Sequence, residues 1–180
     1  MPFQKDYCCA GNHMISIGKD RAFILLGIIG SCILLYGLSH PNAAQPSYII
    51  GSTCLLCTAI YFHLFYFIAL ELILIAGHTA ILLGLGPYIQ MSAPILLCFQ
   101  LVVYYIISDN WNNKWVFLAI IGIALLSIGF AWHHALIFFF GSLFIAIYAW
   151  LNVSKIPAAA IWAVTNSLFA IISLYRLIII

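Results

Sequence analysis

The sequence predicts an all-α transmembrane protein, a seven-helix bundle with almost no soluble part, and two observations lead to this prediction. Of its 180 residues, 66% are hydrophobic and only 6% are charged, whereas a soluble domain has roughly 25% charged residues. The apolar residues also form unbroken runs, and a transmembrane barrel would instead alternate apolar and polar residues over segments of about ten. Because backbone groups inside lipid must bond to one another, unbroken apolar runs indicate membrane-spanning helices.

Proline, glycine and polar residues divide the apolar sequence into seven predicted helices. One stretch, residues 48–85, would be about 55 Å long as a single helix, which exceeds the ~30 Å core of a bilayer. We therefore predict a turn within the aromatic cluster Tyr61–Tyr66, because Tyr and His suit the membrane interface. Pro94 is expected to kink the fourth helix. The predicted helices are 22–38, 48–62, 65–85, 88–107, 115–131, 135–151 and 157–177.

Basic residues indicate the orientation of the bundle, because cytoplasmic loops carry an excess of Lys and Arg. A cytoplasmic N-terminus, with residues 1–20 as a short cytoplasmic segment, agrees with this rule. The loops 39–47, 84–87 and 132–134 on the opposite side contain no Lys or Arg. Arg176, near the outer end of the last helix, is the exception, and its long side chain is expected to reach the interface. The basic residues on the cytoplasmic side are Lys5, Lys19, Arg21, Lys114 and Lys155.

Helices 1–3 and 5–7 are predicted to be two copies of one unit, in a 3+1+3 arrangement of parallel repeats about an axis along the membrane normal. The sequence GIIG at Gly27–Gly30 matches AIIG at Ala119–Gly122. The pair at 51–52, Gly-Ser, matches the pair at 141–142 with two residues of slippage. Alternatively, these are ordinary packing glycines, which let membrane helices approach closely. The predicted organisation is a cytoplasmic segment at 1–20, a first repeat at 21–85, a linker helix and loop at 86–114, and a second repeat at 115–180.

Glu71 is the only acidic residue within the predicted helices, and it is our first candidate for a functional residue. A charge at membrane depth costs at least ~2.5 kcal/mol, so the side chain should face a partner or a water-filled cavity. His78 lies seven residues later and therefore on the same helix face. A carboxylate and an imidazole on one face can bind a polar or cationic substrate, or relay protons. In the alternative, a protonated Glu71 only bonds a neighbouring helix.

The last predicted helix carries two further candidates, Trp162 and Asn166, which lie one turn apart on the same face. An aromatic ring and an amide can stack on and hydrogen-bond a planar ligand, although an Asn can also serve only to join helices. Gln100 in the fourth helix can line a pathway or bond another helix. The predicted substrate-binding residues are Glu71, His78, Trp162, Asn166 and Gln100. The weaker candidates are Asn152, Trp150 and Gln90.

The spacing of Trp162 and Asn166, with three residues between them, also points to a family. With this spacing, residues 135–177 resemble the last two helices of the PnuC-type vitamin transporters, which are relatives of the SWEET sugar facilitators. The resemblance implies passive or exchange-type movement of a small polar molecule, often a B-vitamin precursor or a sugar. It also implies a multi-pass protein of a bacterial inner membrane.

Metal-ion transport is an alternative, because Cys54 and Cys57 form a C-x-x-C pair that His63, His78 and Glu71 can supplement. A zinc site normally has a second pair of ligands at suitable spacing, and none is evident in the sequence. We therefore predict no bound metal and no cofactor.

The predicted function is transport of a small polar solute, and the partners are that solute and the lipid bilayer. The other alternative is a membrane scaffold or assembly protein, in which Glu71 and Asn166 only hold helices together. An enzyme is not predicted, because the sequence contains no H-E-x-x-H, G-x-S-x-G or paired-carboxylate pattern. A net charge of +2 is too small to suggest nucleic-acid binding. Association with further copies of the chain is compatible with the sequence.

Overall fold

The computed structural model describes residues 13–107 and 114–179, and within these ranges the chain forms seven α-helices. Each of the seven is long and apolar enough to cross a membrane, which confirms the predicted all-α, seven-helix bundle. Two short 3-10 turns, Pro41–Ala43 and Pro157–Ala159, precede the second and the last helix. The helices are α1 His13–Ser39, α2 Ala44–Tyr61, α3 Phe65–Leu82, α4 Pro87–Ile107, α5 Lys114–Trp132, α6 Ala135–Val153 and α7 Ala160–Ile179.

The helix boundaries agree with the predicted ones except at a few ends. The predicted turn in the aromatic cluster is confirmed, since α2 ends at Tyr61 and α3 begins at Phe65. The first helix begins at His13, nine residues before the predicted start at residue 22 and inside the segment 1–20; residues 1–12 lie outside the described part. Helix α2 begins four residues earlier than predicted, because Pro46 falls in its first turn, where a proline removes no helical hydrogen bond.

Three helices end with one residue in the left-handed conformation, and the N–H of the residue after it donates a hydrogen bond back to the last turn. After α3 this residue is Gly84 (φ 68°), and its N–H donates to the Ile81 carbonyl at 2.9 Å. His63 (φ 55°) and His133 (φ 52°) occupy the same position after α2 and α5. This is the Schellman ending, in which glycine is usual and His is uncommon. It stops the helices at the points where the chain must reverse.

Glycines allow two pairs of antiparallel helices to pack at backbone contact. In the α1–α2 pair, a Cβ atom added to Gly30 would lie 2.8 Å from the Gly51 carbonyl oxygen, and one added to Gly51 would lie 2.8 Å from that of Gly30. In the α5–α6 pair, Gly122 and Gly141 stand in the same reciprocal relation, at 3.1 and 3.0 Å. These four residues belong to the segments that the sequence aligns as repeats; the repeat itself, like the side of the membrane on which the N-terminus lies, stays a prediction.

Two contacts between parallel helices join these pairs to the rest of the bundle. Helix α7 lies beside α1, where the hydroxyl oxygens of Thr165 and Ser31 are hydrogen-bonded at 2.7 Å. Helix α3 lies beside α5, where the Tyr66 hydroxyl donates to the Ala119 carbonyl at 2.9 Å. Helix α4 packs on the outside of α3 and α5, and of its residues only Pro94 and Cys98 are buried. The interior is therefore formed mainly by the other six helices.

Candidate functional site

A hydrogen bond between Glu71 of α3 and Trp162 of α7 lies at the centre of the bundle. The indole Nε1–H donates to Glu71 Oε1 at 2.7 Å, and the two side chains are 1% and 0% exposed. The indole also stacks on Phe67, with 4.6 Å between the ring centroids and 28° between the ring planes. Phe67 lies one turn before Glu71, so one face of α3 positions both the carboxyl group and the ring that supports its donor. Glu71 thus has the buried partner that its cost in lipid requires.

Three buried polar atoms of the described residues have no hydrogen-bond partner. The second carboxyl oxygen of Glu71, Oε2, has no hydrogen-bond partner, and neither do the buried hydroxyl groups of Ser52 and Ser142. The Ser52 hydroxyl lies close to the Glu71 carboxyl group, outside strict hydrogen-bond geometry. An unsatisfied buried polar atom costs about 1–3 kcal/mol.

His78, two turns beyond Glu71 on α3, is held by a second group of side chains. Its Nδ1 lies 2.9 Å from Gln45 Oε1. Its ring packs against Tyr48 at 4.7 Å and edge-on against Phe130 at 4.3 Å between centroids. The imidazole is only 2% exposed. Along the helix axis it lies about 10 Å from Glu71, at ~1.5 Å per residue, so the two residues share a face without touching.

A cavity of about 260 Å³ opens at the end of the bundle where α1, α5 and α7 finish. We call it the distal cavity, and its polar lining residues are Gln45, Tyr48, His133, His134, Ser173 and Arg176. Three of the side chains around His78, namely Gln45, Tyr48 and Phe130, belong to its wall. His78 therefore lies directly beneath this cavity, on the side towards the bundle centre.

A second cavity of about 180 Å³ lies at the opposite end, and we call it the proximal cavity. Its polar lining residues are His63, Tyr66, Tyr105, Tyr148 and Asn152. It shares no lining residue with the distal cavity. Helix α3 passes from one to the other: Phe67 lines the proximal cavity, Glu71 is enclosed, and His78 adjoins the distal wall. The Glu71–Trp162 pair thus lies between two cavities that open at opposite ends.

The structure brings some of the five predicted site residues together and leaves others apart. Glu71 and Trp162 meet directly, and His78 lies on the same face of α3. Asn166 is 5% exposed, but its amide donates to the Trp162 carbonyl within α7, at 3.0 Å. Gln100 is exposed on α4 and is not brought to this group, because α4 packs outside the core.

Of the two weaker candidates on α6, Asn152 lies at a cavity and Trp150 does not. The cysteines of the metal alternative lie at or near the surface of the bundle. Asn152 lines the proximal cavity, whereas Trp150 is an exposed residue that donates to Ser167 Oγ at 3.1 Å. Cys57 is exposed and Cys54 half-buried. Within residues 18–107 and 114–179, no three His, Cys, Asp or Glu side chains come close enough together to hold a metal ion.

Sequence reasoning missed several residues of this region. Ser52 and Ser142 were noted only as parts of the Gly-Ser matches, and their position directly after a packing glycine could have marked them as core residues. Gln45 lies in a Pro-flanked segment that reads as a loop, and Arg176 reads as an interfacial residue. Only the three-dimensional structure brings the last two to one cavity.

No protein-family model matches this chain, and neither a curated protein nor a solved structure is significantly similar to it. The resemblance to PnuC-type transporters therefore stays a prediction.

Proposed function

We propose that this membrane protein moves a small polar solute across the bilayer along a path between its first and last three helices. The observation that carries the proposal is the enclosed Glu71–Trp162 pair, which lies between cavities at the two ends of the bundle. A carboxyl group in a helix that only packs against others is costly, and an interior apolar residue would fill the same space at lower cost. A binding role explains why the carboxyl group is retained.

The site has the composition of a small-molecule pocket. The rings of Tyr148 and Trp162 both pack on Phe67, and the Glu71 carboxyl group and the nearby Ser52 hydroxyl supply a few polar groups. Pockets for small ligands combine mainly apolar and aromatic walls with a few polar groups that fix orientation. A vitamin precursor or a sugar, the solutes implied by the resemblance, satisfies this description, and the same resemblance favours a bacterial inner membrane.

The glycine contacts support an internal repeat. The reciprocal pair Gly30–Gly51 corresponds to Gly122–Gly141 in the alignment of the two units, and the parallel contacts α1–α7 and α5–α3 correspond in the same way. In transporters built from repeats, the substrate site lies at the repeat interface near the bilayer midplane, and alternating access is a rocking of one unit against the other. Here that interface contains Glu71 on α3 and Trp162 on α7.

Uptake into proteoliposomes tests the proposal. The purified full chain is reconstituted, and entry of radiolabelled B-vitamin precursors and sugars is measured, with Zn²⁺ included for the metal alternative. We expect Glu71→Gln to abolish uptake of the accepted solute while the protein still inserts and folds, because the amide keeps an acceptor for Trp162 but removes the carboxyl group. Gln100→Leu, on the exposed face of α4, is the control and should leave uptake unchanged.

The scaffold alternative predicts a different outcome. If Glu71 only holds α3 against α7, no solute in the panel enters faster than through protein-free liposomes, and Glu71→Gln is tolerated with little loss because the amide keeps the hydrogen bond. Accumulation of Zn²⁺ without any organic solute would favour the metal alternative over both.

A further inference from the structure

Among the residues that the structure describes, the distal cavity is lined by a positively charged group and by no carboxylate. It is formed by three separate parts of the chain: the connection from α1 to α2, the turn between α5 and α6, and the end of α7. Its polar lining contains one guanidinium group, two imidazoles, an amide and two hydroxyls. The described part of the chain has two acidic residues, Asp20 and Glu71, and neither lines this cavity. The wall therefore carries a positive charge that no lining carboxylate offsets.

Arg176 is fixed at this wall. Its guanidinium Nη2 donates to the carbonyl of Leu38, at the end of α1, at 2.6 Å. A guanidinium has five N–H donors, so this bond positions the group and leaves four donors. Arg176 also lies close enough to Tyr48 to interact with it electrostatically. The cation is thus held over the cavity by backbone that belongs to another helix.

Further donors surround the same space. Gln45 accepts from His78 through Oε1, which leaves its NH₂ group to donate. The Tyr48 hydroxyl can also donate. His133 and His134 each offer at least one ring N–H in either protonation state. Donors from α2, from the α5–α6 turn and from α7 therefore converge on one volume.

From this arrangement we propose that the distal cavity is a binding site for a small oxyanion, a carboxylate or a phosphate. A fixed guanidinium group binds such anions through two parallel N–H···O hydrogen bonds. A cavity that is lined by charges of one sign and has apolar walls concentrates ions of the opposite charge. The volume of about 260 Å³ limits the ligand to a compact molecule, since drug-sized ligands occupy roughly 300–1,000 Å³. The assignment concerns this cavity alone, about 21 Å along α7 from Trp162 at ~1.5 Å per residue, and it does not depend on transport.

Benzoate and benzamide form the test pair, because they have nearly the same shape and differ in charge. The full chain is purified in a non-ionic detergent, and its unfolding temperature and ligand affinity are measured with each compound and with inorganic phosphate. Benzoate or phosphate should raise the unfolding temperature in a saturable manner, since a ligand that binds only the folded state stabilises it. Benzamide should have no such effect.

Three variants locate the site. Arg176→Gln should weaken anion binding about tenfold or more, because a charge-assisted pair of hydrogen bonds is lost. Arg176→Lys should bind with intermediate affinity, because the positive charge remains but the two parallel N–H donors of the guanidinium group do not. Lys155→Gln removes the same charge from the turn before α7, at the other end of the bundle, and should bind like the unmodified protein. If benzoate and benzamide act equally, or if Lys155→Gln weakens binding as much as Arg176→Gln, the proposal is wrong.

The oxyanion can come from solution or from a lipid headgroup, and a competition experiment with an anionic lipid distinguishes these two sources. Phosphatidylglycerol is added to the detergent-purified protein, and binding of benzoate is measured again. Unchanged benzoate affinity supports a soluble anion, whereas Arg176-dependent stabilisation by the lipid that displaces benzoate supports a headgroup. If neither phosphate, benzoate nor phosphatidylglycerol stabilises the protein through Arg176, the site does not exist. Size-exclusion profiles and the Arg176→Lys variant show whether a loss of binding reflects misfolding.

Discussion

The strength of the Glu71–Trp162 hydrogen bond can be measured with a double-mutant cycle. Glu71→Met removes the acceptor at nearly constant volume and leaves the buried indole N–H without a partner. Trp162→Phe removes the donor and leaves both carboxyl oxygens of Glu71 unsatisfied. Each single change should destabilise the protein by about 1–3 kcal/mol through the unsatisfied group, and Trp162→Phe costs more because the indole also packs on Phe67.

The double variant should be less destabilised than the sum of the single variants. Both unsatisfied groups are then absent together, so the coupling free energy should be about 1–2 kcal/mol, near the upper end of values measured between membrane helices. The assay is equilibrium unfolding in mixed detergent micelles, followed by far-ultraviolet circular dichroism.

Glu71→Gln is the companion variant, because it keeps an acceptor for the indole and should cost little. Additive effects of the two single changes would refute the reasoning, since they would mean that the carboxyl group and the indole do not depend on each other. A large loss of stability in Glu71→Gln would contradict the claim that the acceptor alone holds Trp162.

Three further predictions concern stability. Measured by thermal unfolding, Gly84→Ala should destabilise the protein by about 1–2 kcal/mol because of the left-handed backbone at this position. Gly86→Ala, where a Cβ also meets open space but φ is not positive, should be neutral. Gly141→Ala should cost about 1–3 kcal/mol, because the new Cβ would lie 2.6 Å from the Leu126 backbone nitrogen, and equal melting temperatures for this variant and Gly86→Ala would contradict the close α5–α6 contact. Gln45→Ala should cost about 1–3 kcal/mol by leaving His78 Nδ1 without a partner, and an unchanged unfolding curve would show that this bond contributes nothing.

Most of the fold could be predicted because the bilayer limits the solutions. The ~30 Å thickness of the hydrocarbon core required a turn between residues 48 and 85, and the turn lies at the predicted aromatic cluster. The same argument could not place α4 outside the bundle. Lipid tails are as apolar as leucine, so a helix that faces lipid and a helix buried among other helices have equally apolar sequences. Gln100 was therefore a candidate, because it is a polar residue in a helix whose outer position could not be predicted.

The site was only partly predictable. The cost of a charge at membrane depth marked Glu71 as a residue that needs a partner. Its partner Trp162 lies 91 positions away, and the pairing depends on how α3 and α7 are rotated about their axes, which sequence periodicity does not determine when nearly every position is apolar. The distal cavity was missed because it is built from helix ends, where Gln45 and Arg176 meet only after three chain segments have packed.

The central claim is that the two cavities face opposite sides of the membrane, with a closed centre between them. Thiol labelling tests it most directly: all six native cysteines are replaced, and a single cysteine is introduced as His134→Cys in the turn that lines the distal cavity or as Asn152→Cys in the proximal one. In right-side-out vesicles, a membrane-impermeant maleimide should label the first variant at once and the second only after permeabilisation. Labelling of both variants from the same side would contradict the account.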